Sequence, residues 1–149
     1  MATASYVTNR GLQLLATTDF DAIDFRALLI INEVAAATGR DHNFIDAVIA
    51  AGTEATCTGY ARKTLAGITV TESDASDLVT VAFSTIAWGA IGGAANCQLS
   101  QLVLYRFNAS DAAAEVIAYV GAASGLPFTT NGSTVNSTTP TFTFTSTAT

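Results

Sequence analysis

Apolar and polar residues along this chain alternate mostly with the period of a β-strand. Thr141-Phe142-Thr143-Phe144-Thr145 is the cleanest case, with rings at every second position and hydroxyls between them. That is the pattern of a strand with one face covered. Val79, Val81 and Phe83 alternate in the same way with Thr80, Ala82 and Ser84, which predicts a strand over Leu78 to Phe83. Phe25 to Ile31 contains the unbroken apolar run Ala27-Leu28-Leu29-Ile30-Ile31 and reads as a core strand. Leu99 to Phe107 places Leu102, Leu104 and Arg106 on one side. Ser5-Tyr6-Val7, the interleaved stretch Ala61 to Val70, and Glu115 to Val120 are further strand candidates.

Helical spacing appears in two places. Leu12 and Leu15 lie three apart within Gly11 to Ala16 and predict a turn or two of helix. Phe44, Ile45, Val48 and Ile49 share one helical face, with Asp41 or Asn43 expected to cap its start and Gly52 to end it. Asp111 to Glu115 also has helical propensity. Turn chemistry separates these segments at Thr17 to Asp21, Glu72 to Asp77, Asn108 to Asp111 and Asn131-Gly132, the last of which is a hairpin signal. Short strands at roughly ten-residue spacing with one inserted helix predict a mainly β fold. The expected architecture is a β-sandwich or small β-barrel-like domain with one peripheral α-helix and an extended C-terminal strand. Residues 1–132 form the single globular domain in this reading, and 133–149 a Ser/Thr-rich C-terminal strand or arm.

Composition narrows the chemistry. The 149 residues suit one domain. Half of them are apolar and only 12% are charged, whereas disordered chains depart from the average in the opposite direction. Polarity comes instead from 23 Thr and 10 Ser. Six cations against twelve acids give a net charge of −6, and scattered cations on an acidic chain do not build a phosphate-binding face, so no nucleic-acid partner is expected. One His (His42) and two Cys (Cys57 and Cys97, forty positions apart) leave no CxxC, HExxH or His-Cys cluster. No metal and no cofactor are therefore expected.

Catalytic constellations fare no better. His42 lies beside Asp41 and Asp46 at the mouth of the second helix and reads as a solvated structural residue, with no GxSxG elbow elsewhere to partner it. Gly89 to Gly93 matches neither GxGxxG nor a GKS/GKT phosphate loop. Asp19, Asp21 and Asp24, and Asp74 with Asp77, lack the spacing of a calcium loop and read as solvated turns. The expectation is a protein that is not an enzyme.

Met1 to Tyr6 carries neither the basic start nor the apolar run of a signal peptide, so folding in a cytosol with reduced thiols is expected. The three Asn-x-Ser/Thr triplets at Asn108, Asn131 and Asn136 are close to what chance gives in a chain this rich in Ser and Thr. Leu78 to Tyr105 is uncharged and long enough for a membrane helix, with Gly89 and Gly93 in GxxxG spacing. Its polar dilution and its period of two favour strands instead, and no membrane partner is expected. The charge deficit points elsewhere: charges are absent from Leu78 to Tyr105 and again after Glu115. Monomeric domains interleave charge over their surface, whereas assembled ones bury neutral faces against neighbours. Tyr60, Trp88, Phe142 and Phe144 are the candidate interface residues, and the uncharged C-terminal strand is expected to add to a neighbour's sheet edge.

Several short motifs occur in a telling order: Thr58-Gly59-Tyr60-Ala61-Arg62, Leu65-Ala66-Gly67, Trp88 followed by Ile91-Gly92-Gly93-Ala94, Leu102-Val103-Leu104-Tyr105-Arg106, Ile117-Ala118-Tyr119-Val120, and Leu126 to Gly132. Together with the Asp24 to Ile31 strand and the Asp41 to Val48 helix, this series resembles small virion structural proteins of tailed bacteriophages over nearly the whole chain. Some members of that group resemble capsid decoration or cement proteins, small β-rich oligomers seated on the major capsid shell. The resemblance implies a structural virion protein on the capsid surface, made in the bacterial cytoplasm. Its implied partners are the major capsid protein and neighbouring copies of itself, a trimer being one order it allows. A neck, tail or fibre component, or a module binding host glycan, is the alternative. The chain departs from the pattern at its end, where a Ser/Thr-rich stretch continues to Thr149.

Overall fold

Alternate residues of the same strands supply two apolar sets, and the result is a sheet covered on both faces. The structure, a computed structural model, describes residues 5–17, 24–73, 75, 78–121, 125–137 and 141–145, without the side chains of 15–17, 78 and 141–145. In chain order the elements are β1 (Tyr6–Val7), α1 (Asn9–Thr17), β2 (Phe25–Ile30), α2 (Ala36–Gly39), α3 (Ile45–Gly52), β3 (Lys63–Thr64), β4 (Thr69–Ser73), β5 (Leu78–Ala82), β6 (Ala87–Ala90), β7 (Gln98–Leu99), β8 (Gln101–Arg106), β9 (Glu115–Val120), β10 (Phe128–Thr129), β11 (Thr134–Asn136) and β12 (Thr141–Thr145). The chain is thus mainly β, with several antiparallel sheets and three helices among the described residues. The central sheet runs β1-β9-β8-β2-β3, and β10-β7, β11-β6 and β12-β5-β4 form smaller ones.

On one face of the central sheet Phe25, Ala27, Leu29, Leu102 and Leu104 pack with Leu14 of α1 and with Val81, Phe83, Trp88, Ile91 and Leu99. On the other, Leu28, Ile30, Val103 and Tyr105 pack with Val34 and with Ile45 and Val48 of α3. The double covering explains why β2 and β8 are apolar without a break. The pairing of β9 slips by one residue: Leu104 faces Ala118 while Tyr105 faces Val116, so Ile117 is a bulge. The extra residue lets Val116 and Tyr119, three apart, join the same cluster.

That bulge also seats α1. The Thr8 backbone N–H donates to the Ile117 carbonyl at 2.9 Å and its hydroxyl donates to the Val116 carbonyl at 2.6 Å. The same hydroxyl accepts the Gly11 N–H at 2.9 Å and so caps the helix. Gly11 is where the helix meets the sheet. A β-carbon there would stand 3.0 Å from both the carbonyl carbon and the α-carbon of Ile117.

Several expectations need correction. Neither Asp41 nor Asn43 caps α3: Phe44 stands at the cap, and the first helical N–H groups donate instead to the carbonyls of Ala114 at 3.0 Å and Asp111 at 3.3 Å. The helix does end at Gly52, with the positive φ of 58° on the following Thr53. Gly52 is needed for packing, since a β-carbon there would come 2.6 Å from Ile30 Cδ1 on β2. The stretch Ala61 to Val70 is not one strand; β3 joins the central sheet and β4 the outer one. Asn131-Gly132 does not close a hairpin, for β10 pairs with β7 and β11 with β6.

The C-terminal segment is woven into the chain's own sheets. β11 pairs with β6, and β12 runs antiparallel to β5 over its full length, from Thr141 opposite Ala82 to Thr145 opposite Leu78.

Candidate functional site

Of the four expected interface residues, Trp88 and Tyr60 have described side chains, and both are turned inward. Trp88 is 5% exposed and packs in the chain's own core, so its surface is already used within the subunit. It lines a crevice of about 10 Å³ with Leu29, Leu102, Leu126, Phe128 and Val135, room for about one water. Its indole N–H has no partner among the described residues. Tyr60 is also turned inward: its hydroxyl accepts the Leu29 N–H at 3.0 Å and donates to Glu54 Oε1 at 3.0 Å. Burial, more than any neighbour, drives its pKa far up, so the phenol keeps its proton and braces β2. The backbone of Phe142 lies opposite Val81 and that of Phe144 opposite Val79; their side chains fall outside the described residues. The same holds for Asp19, Asp21, Asp74 and Asp77. Asp24 pairs with Arg26 at 2.9 Å.

Two polar clusters that local sequence did not reveal tie loops to the central sheet. Arg62 bridges Glu54 and Asp111, with Nε to Glu54 Oε1 at 2.8 Å, Nη2 to Glu54 Oε2 at 2.6 Å and Nη2 to Asp111 Oδ2 at 2.9 Å. These bonds raise the Arg62 pKa and hold the Asp111 carboxyl below the usual carboxylate range. The other cluster runs through the opposite core. Gln101 is fully buried and satisfied by Val34, accepting its N–H at 2.7 Å and donating to its carbonyl at 3.2 Å. Tyr6 donates to the same carbonyl at 2.8 Å and stacks on Tyr119 at 4.8 Å between centroids. Burial pushes the Tyr6 phenol up to about 12. Tyr119 in turn meets His42 Nδ1 at 2.7 Å, and burial lowers the pKa of that imidazole. Burial raises the Tyr119 phenol as well, so it keeps its proton beside the imidazole. Among the described residues no three His, Cys, Asp or Glu side chains assemble as a metal site, and no helix is long and apolar enough to cross a membrane.

One open edge lies in the outer sheet β12-β5-β4. Among the described residues its end strand β4 has a pairing partner on one side only, which leaves the backbone N–H and C=O groups of its other side without a strand to pair with. Val70 and Val81 stand opposite each other in the ladder, yet Val81 is fully buried while Val70 is 50% exposed. Thr69, Thr71 and Glu72 are exposed beside it. Glu72 is the only charged residue in β4, β5 and β12, and β6 and β11 carry none. Sequence alternation marked β5 and β12 as strands, whereas Glu72 and Ser73, expected in a turn, complete β4; it held no signal for which apolar residue would be left at an edge. Compared with protein-family models, curated proteins and solved structures, the chain matches none.

Proposed function

We propose that this protein is a non-enzymatic virion structural protein of a tailed bacteriophage, a capsid decoration or cement protein that folds in the host cytoplasm and then binds the major capsid lattice beside copies of itself. The observation that carries the reading is the open β4 edge. Edge strands of monomeric proteins are usually blunted by charged side chains, Pro or a bulge; Thr69-Val70-Thr71-Glu72-Ser73 has the single charge of Glu72, no Pro and no bulge, and exposes Val70. Strand addition there would satisfy the open backbone groups and bury the rest of the Val70 side chain. One such contact contributes only about 1 kcal/mol of apolar burial, with hydrogen bonds of about 1 kcal/mol each. Repetition over a lattice makes weak contacts sufficient, because each copy is held at high effective concentration by the others. The shell is stabilised by mass action, since the protein binds the assembled form. β12 and β4 both flank β5, and β4 is the edge at which the strand is proposed to add.

Counting copies in purified particles tests the role. A decoration protein is present on the order of hundreds of copies per head, following the capsid symmetry, whereas a count of roughly a dozen or fewer would place it at a neck, tail or fibre and overturn the proposal. Val70→Lys tests the surface: the variant should fold with an unchanged melting temperature and fail to bind particles. Full binding by the folded variant would remove β4 from the interface.

A further inference from the structure

We propose that Cys57 and Cys97 are a latent disulfide, a covalent modification site that closes within the folded chain on exposure to a small-molecule disulfide such as oxidised glutathione. Both side chains are free thiols in the structure. Cys57 is buried in the main core cluster and Cys97 packs half-buried against the same cluster. Forty positions separate them in sequence, so their meeting is produced by the fold. The two segments are clamped together: the Thr58 N–H donates to the Ala95 carbonyl at 3.1 Å, the Ala95 N–H returns to the Thr58 hydroxyl at 3.1 Å, and the Gly92 N–H reaches the Thr58 carbonyl at 2.8 Å. Thr130 fixes the second cysteine from the other side. Its N–H donates to the Cys97 carbonyl at 2.9 Å, and its hydroxyl accepts the Cys97 N–H at 2.9 Å. Between these clamps the Cys57 thiol feels both neighbours, Cys97 raising its pKa and the Thr130 hydroxyl lowering it.

The exposures set the order of the chemistry. Cys97 is the accessible thiol, while burial and the adjacent Cys97 push the Cys57 thiol up, so Cys57 rests as a protonated, shielded partner. The Cys97 thiolate attacks the disulfide RSSR, forming a Cys97–SR mixed disulfide and releasing one RSH. Cys57 then loses its proton and attacks Cys97 Sγ, releasing the second RSH. The two cysteine thiols are oxidised to one S–S bond, and one RSSR is reduced to two RSH. The closed loop contains β3, β4, β5 and β6, so the bond staples the outer sheet to the core. This inference stands apart from the virion role, because it concerns the isolated chain.

The purified full-length protein, reduced and then freed of reductant, is incubated with oxidised glutathione. The expected product is a monomer lighter by about 2 Da than the reduced chain, with no titratable thiol and no retained glutathione, and a melting temperature raised by about 5–10 °C. The Cys57→Ser variant should stop at a stable glutathione adduct on Cys97, and the Cys97→Ser variant should stay unmodified while folded. Two thiols persisting in the folded wild-type protein, two glutathione adducts, or disulfide-linked dimers would each overturn the proposal. The wild-type mass and thiol count decide it even where a serine variant does not fold.

Discussion

Gly11→Ala sets two physical effects against each other, and the fold decides the sign. Alanine is better than glycine inside a helix by about 0.8–1 kcal/mol, so local propensity alone makes the change stabilising. In the structure the new β-carbon would meet the Ile117 backbone, 3.0 Å from both its carbonyl carbon and its α-carbon and closer still to its carbonyl oxygen. No side chain can rotate away to relieve this, because the opposing atoms are backbone at the β9 bulge. Overpacking of this kind costs about 1–3 kcal/mol. If α1 shifts outward instead, the Thr8 hydroxyl is pulled from the Val116 carbonyl and the Gly11 N–H, and a lost cap costs about 1 kcal/mol. The propensity gain offsets about 1 kcal/mol of this, leaving a net destabilisation of up to about 2 kcal/mol and a fall in melting temperature of up to about 7 °C for a chain of this size. Urea unfolding and calorimetry of Gly11→Ala, Thr8→Ala and the double variant test the account. The double variant should lose less than the sum of the singles, since both act on the same contact. A Gly11→Ala midpoint equal to or above the wild type would refute the close approach of α1 to β9.

Two of the shifted titratable groups give further outcomes. Asp111 has its folded pKa lowered chiefly by Arg62, so the stability it contributes is present above its unfolded pKa and is lost as pH falls through the folded value; Asp111→Asn should flatten the acid limb of a stability profile below about pH 4, and an unchanged limb would argue against the clamp. His42 has its folded pKa lowered by burial, against the opposing pull of Asp41, with the Tyr119 hydroxyl on Nδ1. The unfolded imidazole then binds its proton first, so stability should decline as pH drops below about 6.5 and level off beneath the folded value, and His42→Gln should remove that slope in melting temperatures measured between pH 4.5 and 8.

Strands were legible where burial left a local imprint. The alternation of Val79 and Val81 with Thr80 is read directly as β5, and the unbroken apolar run from Ala27 is read as β2 because both of its faces are covered. Pairing partners left no such imprint. Asn131-Gly132 carries the composition of a hairpin turn, but its flanking strands are claimed by β7 and β6, whose sequences lie far upstream. The α3 cap was misread for a similar reason: Asp41 and Asn43 are the right residue types nearby, yet the carbonyls of Asp111 and Ala114 arrive first from the β8–β9 connection. Trp88 shows the limit for function. An indole is equally apolar in a core or at an interface, and its neighbours in sequence are exposed, so the pattern around it says nothing about the packed side. Val70 and Val81 likewise look alike in sequence and differ only in where β4 and β5 stand in the sheet.

The low charge of the chain takes on a spatial meaning once the ion pairs are placed. Arg10, Arg26, Arg62 and Arg106, four of the six cations, each pair with a carboxylate of the same chain. Arg10 and Arg106 converge on Glu115, whose side chain is only 8% exposed, and so join α1 and β8 to the start of β9. Arg62 joins the loop at Glu54 to the turn at Asp111. All four arginines are partly exposed, each held by a fixed counter-charge. The cations that a monomer would distribute freely over its surface are therefore largely engaged with acids of the same chain, and a molecule of net charge −6 is left repelling its own copies wherever its acids face outward. The outer strands escape that repulsion, since Glu72 is their one charged residue. In the proposed role, contact through β4 and its neighbours would bring together only one charge per copy, that of Glu72, which is why the site of the charge deficit, more than its size, directs the choice of the proposed docking surface.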